Sequence, residues 1–391
     1  MIVPPLLQWL GARDTQRAQS GLQRTITPRN ANDSGVLDLA SNDYLGLARD
    51  RRVVAAAAHA ATAWGAGSTG SRLVTGSTEL HATLENTLAE TVGSPSALVF
   101  SSGYLANIGA VTALADRETL IVSDALNHAS LIDAIRLSGA RVVVAGHRKV
   151  DDVRKALVSR SEPRALVVTD AVFSVDGDLA PLVELHTLAR QFGATLLVDE
   201  AHSLGVIGDG GGGACRTAGI SAEPDVVLTL TLSKALGSAG GAVAGHPALI
   251  NHLINSARSF IFDTGLAPAC VGAALESLRI LADTPELAAT VRSRARNLAQ
   301  IATEAGWTAT KPDAAVVSVL VGEPAAAVRA TQMCAEDRIR VGCFRPPSVP
   351  DGISRLRLTA RATLTDADLD RAAHTLARAR SATTTTEAKP K

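Results

Sequence analysis

Short apolar runs recur at residues 97–100, 119–122, 141–145, 165–169, 195–198, 226–230 and 241–244. Runs of this length, with few polar positions to break them, suit strands buried on both faces. Most pairs are separated by a segment with helical period, such as 130–137, 150–159 and 182–192. Strands alternating with helices predict an α/β fold whose mostly parallel seven-stranded sheet is covered on both sides. Upstream, residues 1–35 read as an amphipathic helix and a polar connector. Residues 37–46 read as a short strand running into an Asn-Asp turn. The stretches 51–64 and 78–92 are helical in pattern, and the glycine- and hydroxyl-rich 65–76 is a loop.

After about residue 270 the texture changes. Long Ala-rich helices come first, then apolar runs at 315–321 and 355–358 that predict a small separate sheet. The expected organisation is an N-terminal segment (1–45), a large domain (46–275), a smaller α+β C-terminal domain (276–380) and a disordered tail (381–391), whose Thr-, Lys- and Pro-rich composition offers little to bury.

Composition narrows the function classes. The chain has 391 residues, 46% of them hydrophobic, enough for a large core. Lys+Arg and Asp+Glu are both 38, so no basic excess points to nucleic acid. The stretch 53–64 is too short to span a bilayer, and residues 1–10 lack the basic start and cleavage site of a signal peptide. Cysteines 215, 270, 334 and 343 show neither paired nor metal-ligating spacing. No metal, no membrane and a reducing cytoplasm are the expectation.

The candidate chemistry gathers at strand ends, where open α/β sheets place their ligands. Lys234 follows the run 226–230 at once, among Ser233, Ala235 and Gly237. Crowding there disfavours its charge and frees an amine for Schiff-base chemistry; a surface lysine in a glycine-rich turn is the plainer alternative. Ser-Ser-Gly-Tyr, ending in Gly103 and Tyr104, opens a helix whose free N–H groups suit a phosphate, or is an ordinary cap. His128 stands just past a strand, placed to stack on an aromatic cofactor or to cap the next helix. Asp199 ends Leu-Val-Asp with His202 three residues on; a buried acid needs a cationic partner or several donors, and a protonated pyridine or a metal would supply the former. No Gly-x-x-x-x-Gly-Lys-Ser/Thr loop supports a nucleotide hydrolase. Ser174 offers a hydroxyl at another strand end.

Taken in order, Ser-Asn-Asp-Tyr-Leu-Gly (41–46), Ser-Gly-Tyr-Leu-Ala-Asn (102–107), Asn-His-Ala-Ser-Leu (127–131), Val-Phe-Ser-Val-Asp-Gly-Asp (172–178), Val-Asp-Glu-Ala-His (198–202), Thr-Leu-Ser-Lys (231–234), Arg-Pro-Pro-Ser-Val-Pro (345–350) and Arg-Leu-Arg-Leu-Thr (355–359) closely resemble the α-oxoamine synthases. These are pyridoxal-phosphate (PLP) transferases of the aspartate-aminotransferase fold, fold type I. The resemblance runs from about residue 20 to 380. It implies that Lys234 carries the cofactor and moves the Cα proton, Asp199 pairs with the pyridine nitrogen and His128 stacks on the ring. His202 and Ser174 then address the phenolic oxygen, while Gly103, Tyr104 and Thr231 hold the cofactor and its phosphate. Arg357, with Asn42 nearby, takes the amino-acid carboxylate; Ser348 and Arg24 face an acyl-CoA. The implied reaction joins an amino acid to an acyl-CoA with loss of CoA and CO₂. Ser233 and the stretch 342–350 look most like the member that joins L-alanine to a pimeloyl thioester (pimeloyl-CoA) in biotin synthesis. The member that joins glycine to an acetyl group is the alternative. A PLP-binding chain that had lost catalysis would be expected to lack Lys234, Asp199 or Arg357, and all three are present. The family also implies a homodimer with shared sites, in which Thr264 reaches the other subunit's phosphate and 67–76 borders it. The competing use of the neighbouring Phe260 and Phe262 is to fill the protomer's own core.

Overall fold

The computed structural model describes residues 4–20, 22–31, 35–346, 348–349 and 351–384. The apolar runs become β2 (Ser96–Phe100), β3 (Thr119–Asp124), β4 (Arg141–Ala145), β5 (Arg164–Asp170), β6 (Thr195–Asp199), β7 (Val226–Thr231) and β8 (Gly241–Gly245). They form one seven-stranded sheet in the order β2-β8-β7-β6-β5-β3-β4. The strands from β4 to β7 pair in parallel, and β8 runs antiparallel to both neighbours.

Successive side chains of a strand leave opposite faces, and two cores result. Ile121, Leu166, Val168, Leu197 and Val227 pack with Ala106, Ala110 and Leu131 of the helices Gly103–Leu114 and Ala129–Ser138. Leu120, Val122, Val167, Leu196, Val198 and Leu228 join Leu84, Leu88 and Leu185 on the other face. Each such side chain contributes about 1.5–3 kcal/mol by leaving water. The edge strand departs from the two-sided pattern: Val142 and Val144 of β4 are exposed.

A second sheet has the order β1-β11-β12-β10-β9, from β1 (Leu37–Leu39), β9 (Thr308–Ala309), β10 (Val316–Gly322), β11 (Ile339–Phe344) and β12 (Ser354–Thr359). Strand β1 pairs in parallel with β11, Leu37 opposite Ile339. The early segment thus belongs to the late sheet. Helix Pro5–Gln19 has no buried residue, and Leu6, Leu7, Trp9 and Leu10 are all exposed. The last helix, Asp366–Thr384, carries order past residue 381, where the tail was expected to begin; residues 385–391 lie outside the described part. No helix among the described residues is long and apolar enough to cross a membrane.

Candidate active site

At the carboxyl ends of the parallel strands lies a cavity of about 540 Å³. Asn42, His128, Ser174, His202, Lys234, Ser348 and Arg357, each singled out from the sequence, all line it. Lys234 follows β7 in a tight turn closed by Gly237 N–H donating to its carbonyl at 2.9 Å. Burial lowers the pKa of its amine, and the nearby Asp199 opposes that shift.

Asp199, at the end of β6, is buried and is not itself part of the cavity lining. Its Oδ2 accepts from Asn107 Nδ2 at 2.7 Å, and its Oδ1 accepts from Ala201 N–H at 2.9 Å. The same Asn107 donates to Ser130 Oγ at 2.8 Å, and Ser130 Oγ lies 2.7 Å from His128 Nδ1. His128 also caps the following helix, its Nδ1 accepting from Ser130 N–H. Capping thus fixes the imidazole at the cavity wall. Asp170 ends β5 directly opposite Asp199 in the sheet. Burial, and then the charge of Asp199, push its carboxyl well above the usual range.

Strand β12 presents Arg357 to the same cavity. Its Nε donates to Ser174 O at 2.7 Å, and its Nη1 donates to Asn42 Oδ1 at 3.0 Å and Thr359 Oγ1 at 3.3 Å. None of these partners is an acid. Asn42 Oδ1 also lies 3.2 Å from Tyr44 Oη, which in turn sits 2.5 Å from His202 Nδ1. Burial, reinforced by Lys234 and Arg357, drives the pKa of His202 well below its ordinary value. Burial pushes the Tyr44 phenol up to about 12. Both therefore stay neutral at physiological pH.

Other predicted residues lie outside the cavity. Gly103 opens the helix Gly103–Leu114, where Ser102 caps by accepting from Leu105 N–H at 3.1 Å. Thr231 lies against Gly103: a Cβ built on that glycine would sit 3.1 Å from Thr231 Cβ. Tyr104 is 44% exposed, and its hydroxyl donates to Asp133. Thr264 is exposed and forms an isolated bridge to Ser71. Phe260 is buried in the protomer with its ring edge-on to Phe100, whereas Phe262 is 70% exposed. Arg24 reaches Ser348 Oγ at 3.5 Å. Sequence reasoning gave no role to Asn107, Tyr44, Asp170, Arg355 or Asp176. All but Asp170 stood inside quoted motifs, and Arg355 shares one strand face with Arg357, which was the available signal.

These donors fit PLP. Two buried oxygens, Asn107 Oδ1 and Asp170 Oδ2, have no hydrogen-bond partner. A Cβ on Gly241 would fall 2.4 Å from Gly103 N, so glycine is what lets the helix start sit tight against the sheet. The amides of Gly103 and Tyr104 precede the first intrahelical bond, as a phosphate site requires. Lys234 would supply the amine for an aldehyde, and Asp199 the acceptor for a pyridinium.

The model of the family "Aminotransferase class I and II" matches residues 34–376. An 8-amino-7-oxononanoate synthase from Mycobacterium sp. (strain JLS) is 58% identical over 371 residues, 95% of this chain and 96% of its own. A structure of SPT with PLP is 30% identical with a TM-score of 0.90, covering 98% of this chain and 100% of the other. The 8-amino-7-oxononanoate synthase from Francisella tularensis is 26% identical with a TM-score of 0.76, covering 89% of this chain and 98% of its own. The chain belongs to the class I and II aminotransferase family of PLP-dependent, fold type I enzymes, and within it to the 8-amino-7-oxononanoate synthases.

Proposed function

We propose that this chain condenses L-alanine with a pimeloyl thioester, pimeloyl-CoA, releasing CoA and CO₂ and giving 8-amino-7-oxononanoate in cytoplasmic biotin synthesis. One observation carries the reading. The cavity sets Lys234, whose amine gives up its proton more readily than an ordinary lysine, opposite Arg357, whose hydrogen-bond partners are all neutral. That pairing suits an amino acid: the guanidinium takes its carboxylate, and the amine moves its α proton. The curated relatives bear the same name at 55–58% identity.

Bound PLP supplies an aldehyde for the amino group and a ring that accepts the electron pair freed at the α carbon. Lys234 takes the proton from that carbon and returns one after CO₂ has left. Arg357, braced by Asn42 and Ser174, holds the carboxylate until that loss. Asp199 keeps the ring nitrogen protonated, with Asn107 fixing the carboxylate's direction. His128 would cover the ring, and His202 and Ser174 would address its phenolic oxygen. Gly103, Tyr104 and Thr231 would hold the phosphate, and Thr264 would serve the phosphate of a second copy in a homodimer. Ser348 and Arg24 face the acyl donor.

Thiol release measured over a panel of amino acids and acyl-CoAs tests the reading. L-alanine with pimeloyl-CoA should give the highest kcat/KM. A higher value for glycine with acetyl-CoA would reassign the chain within its family.

A further inference from the structure

Arg355 and Arg357 stand two residues apart on β12, so both side chains leave one face of the strand, and both line the cavity. Their surroundings differ. Arg357 meets only neutral groups. Arg355, with a side chain 4% exposed, lies between two carboxylates, Asp176 at 2.6 Å and Asp351. Its Nε donates to Ile353 O at 3.0 Å. A guanidinium so engaged is not available to a substrate carboxylate, and losing one acid would leave part of its fork without a charged partner.

The two acids belong to different walls. Asp176 sits in a hairpin closed by the bridge between Val172 and Leu179, with Phe173 N–H donating to Asp178 O at 3.0 Å. That hairpin also carries Ser174. Asp351 follows Ser348 and Val349, a second segment that lines the cavity, and Ser348 is where Arg24 arrives. One buried side chain therefore ties the Ser174 wall to the Ser348 wall.

We infer that Arg355 is a positioning residue that clasps these two walls at a fixed separation and so sets the fit of the acyl donor, leaving the amino acid to Arg357. The inference rests on the acyl transfer proposed above. Asp351→Asn and Asp176→Asn keep the side-chain shape and remove the charge; Asp351 is 49% exposed, so its replacement spares the core. In the holoenzyme, each should raise KM for pimeloyl-CoA about tenfold, the size of one charge-assisted hydrogen bond. KM for L-alanine should stay within about twofold. Arg355→Lys, which keeps the charge but loses the fork, should fall between wild type and these variants. Amide hydrogen exchange of the holoenzyme should quicken over residues 351–354 in Asp351→Asn. An unchanged acyl-donor KM in both aspartate variants overturns the inference, as does an equal rise for both substrates. Wild-type enzyme that releases no thiol with any pair would overturn the reaction instead; unchanged exchange in Asp351→Asn would then still reject the clasp.

Discussion

Lys234 is held where burial works against its charge and Asp199 works for it. Lys234→Ala should abolish covalent fixation of PLP by borohydride, checked by mass spectrometry, and lower turnover by at least about 10²–10⁴-fold, the range for a positioned proton-transfer group. Asp199→Asn keeps the shape and removes the charge. The cofactor should stay bound while exchange of the alanine α hydrogen with deuterated solvent collapses, read by NMR. His147 behaves differently. It lies between Asp124 at 3.1 Å and Asp178 at 2.8 Å, edge-on to Phe173. Burial alone would lower its pKa, but the two carboxylates outweigh that and push it up to about 9. A proton held more tightly in the folded state stabilises it fully below the unfolded value, about 6.5, and that stability fades as pH rises towards 9. The gap in Tm between wild type and His147→Gln should therefore narrow from pH 6.5 to 9. Lys234 was legible because its crowding by adjacent small residues came with motifs elsewhere in the chain that overturned the plainer reading. His147 was not, because its partners lie 23 and 31 positions away.

Parallel strands buried on both faces declare themselves as unbroken apolar runs, which is why β2 to β8 could be read from the chain within a residue or two. Pairing direction is another matter. The run 241–244 carries no mark that β8 turns antiparallel, and 141–145 none that it is an edge with Val142 and Val144 in solvent; neighbours in space decide both. The small sheet was read from two of its runs, but its β1 was not assigned to it, since Leu37 and Ile339 share no local pattern. Where β8 meets the helix Gly103–Leu114, packing leaves no room for a methyl group. In Gly241→Ala the new Cβ would fall 2.4–2.5 Å from backbone atoms of Gly103 and Ser102. Overpacking of this kind costs about 1–3 kcal/mol. The helix start must retreat, and PLP affinity, followed by absorbance titration, should weaken along with Tm.

The molecule leaves apolar groups uncovered at Leu6, Leu7 and Trp9 of its first helix and at Phe262 beside Thr264. The proposed homodimer with shared sites would give Thr264 a role that the cavity of its own protomer does not. Lys234→Ala and Thr264→Trp, each inactive alone, should recover about a quarter of wild-type activity when subunits exchange by random assortment, because hybrids then hold one intact site. No recovery from subunits shown to exchange would make each protomer self-sufficient. The bond between Arg357 and Asn42 joins residues 315 positions apart, which bears on how the chain comes into being. During translation, Lys234 emerges well before the strand that carries Arg357. At 5–20 residues per second the interval is roughly 6 to 25 seconds. Throughout it, a nascent chain has the lysine without the arginine wall. Synthesis rate across residues 235–357 therefore sets how long each new molecule spends with its reactive amine made and the partner for its amino acid's carboxylate still to come.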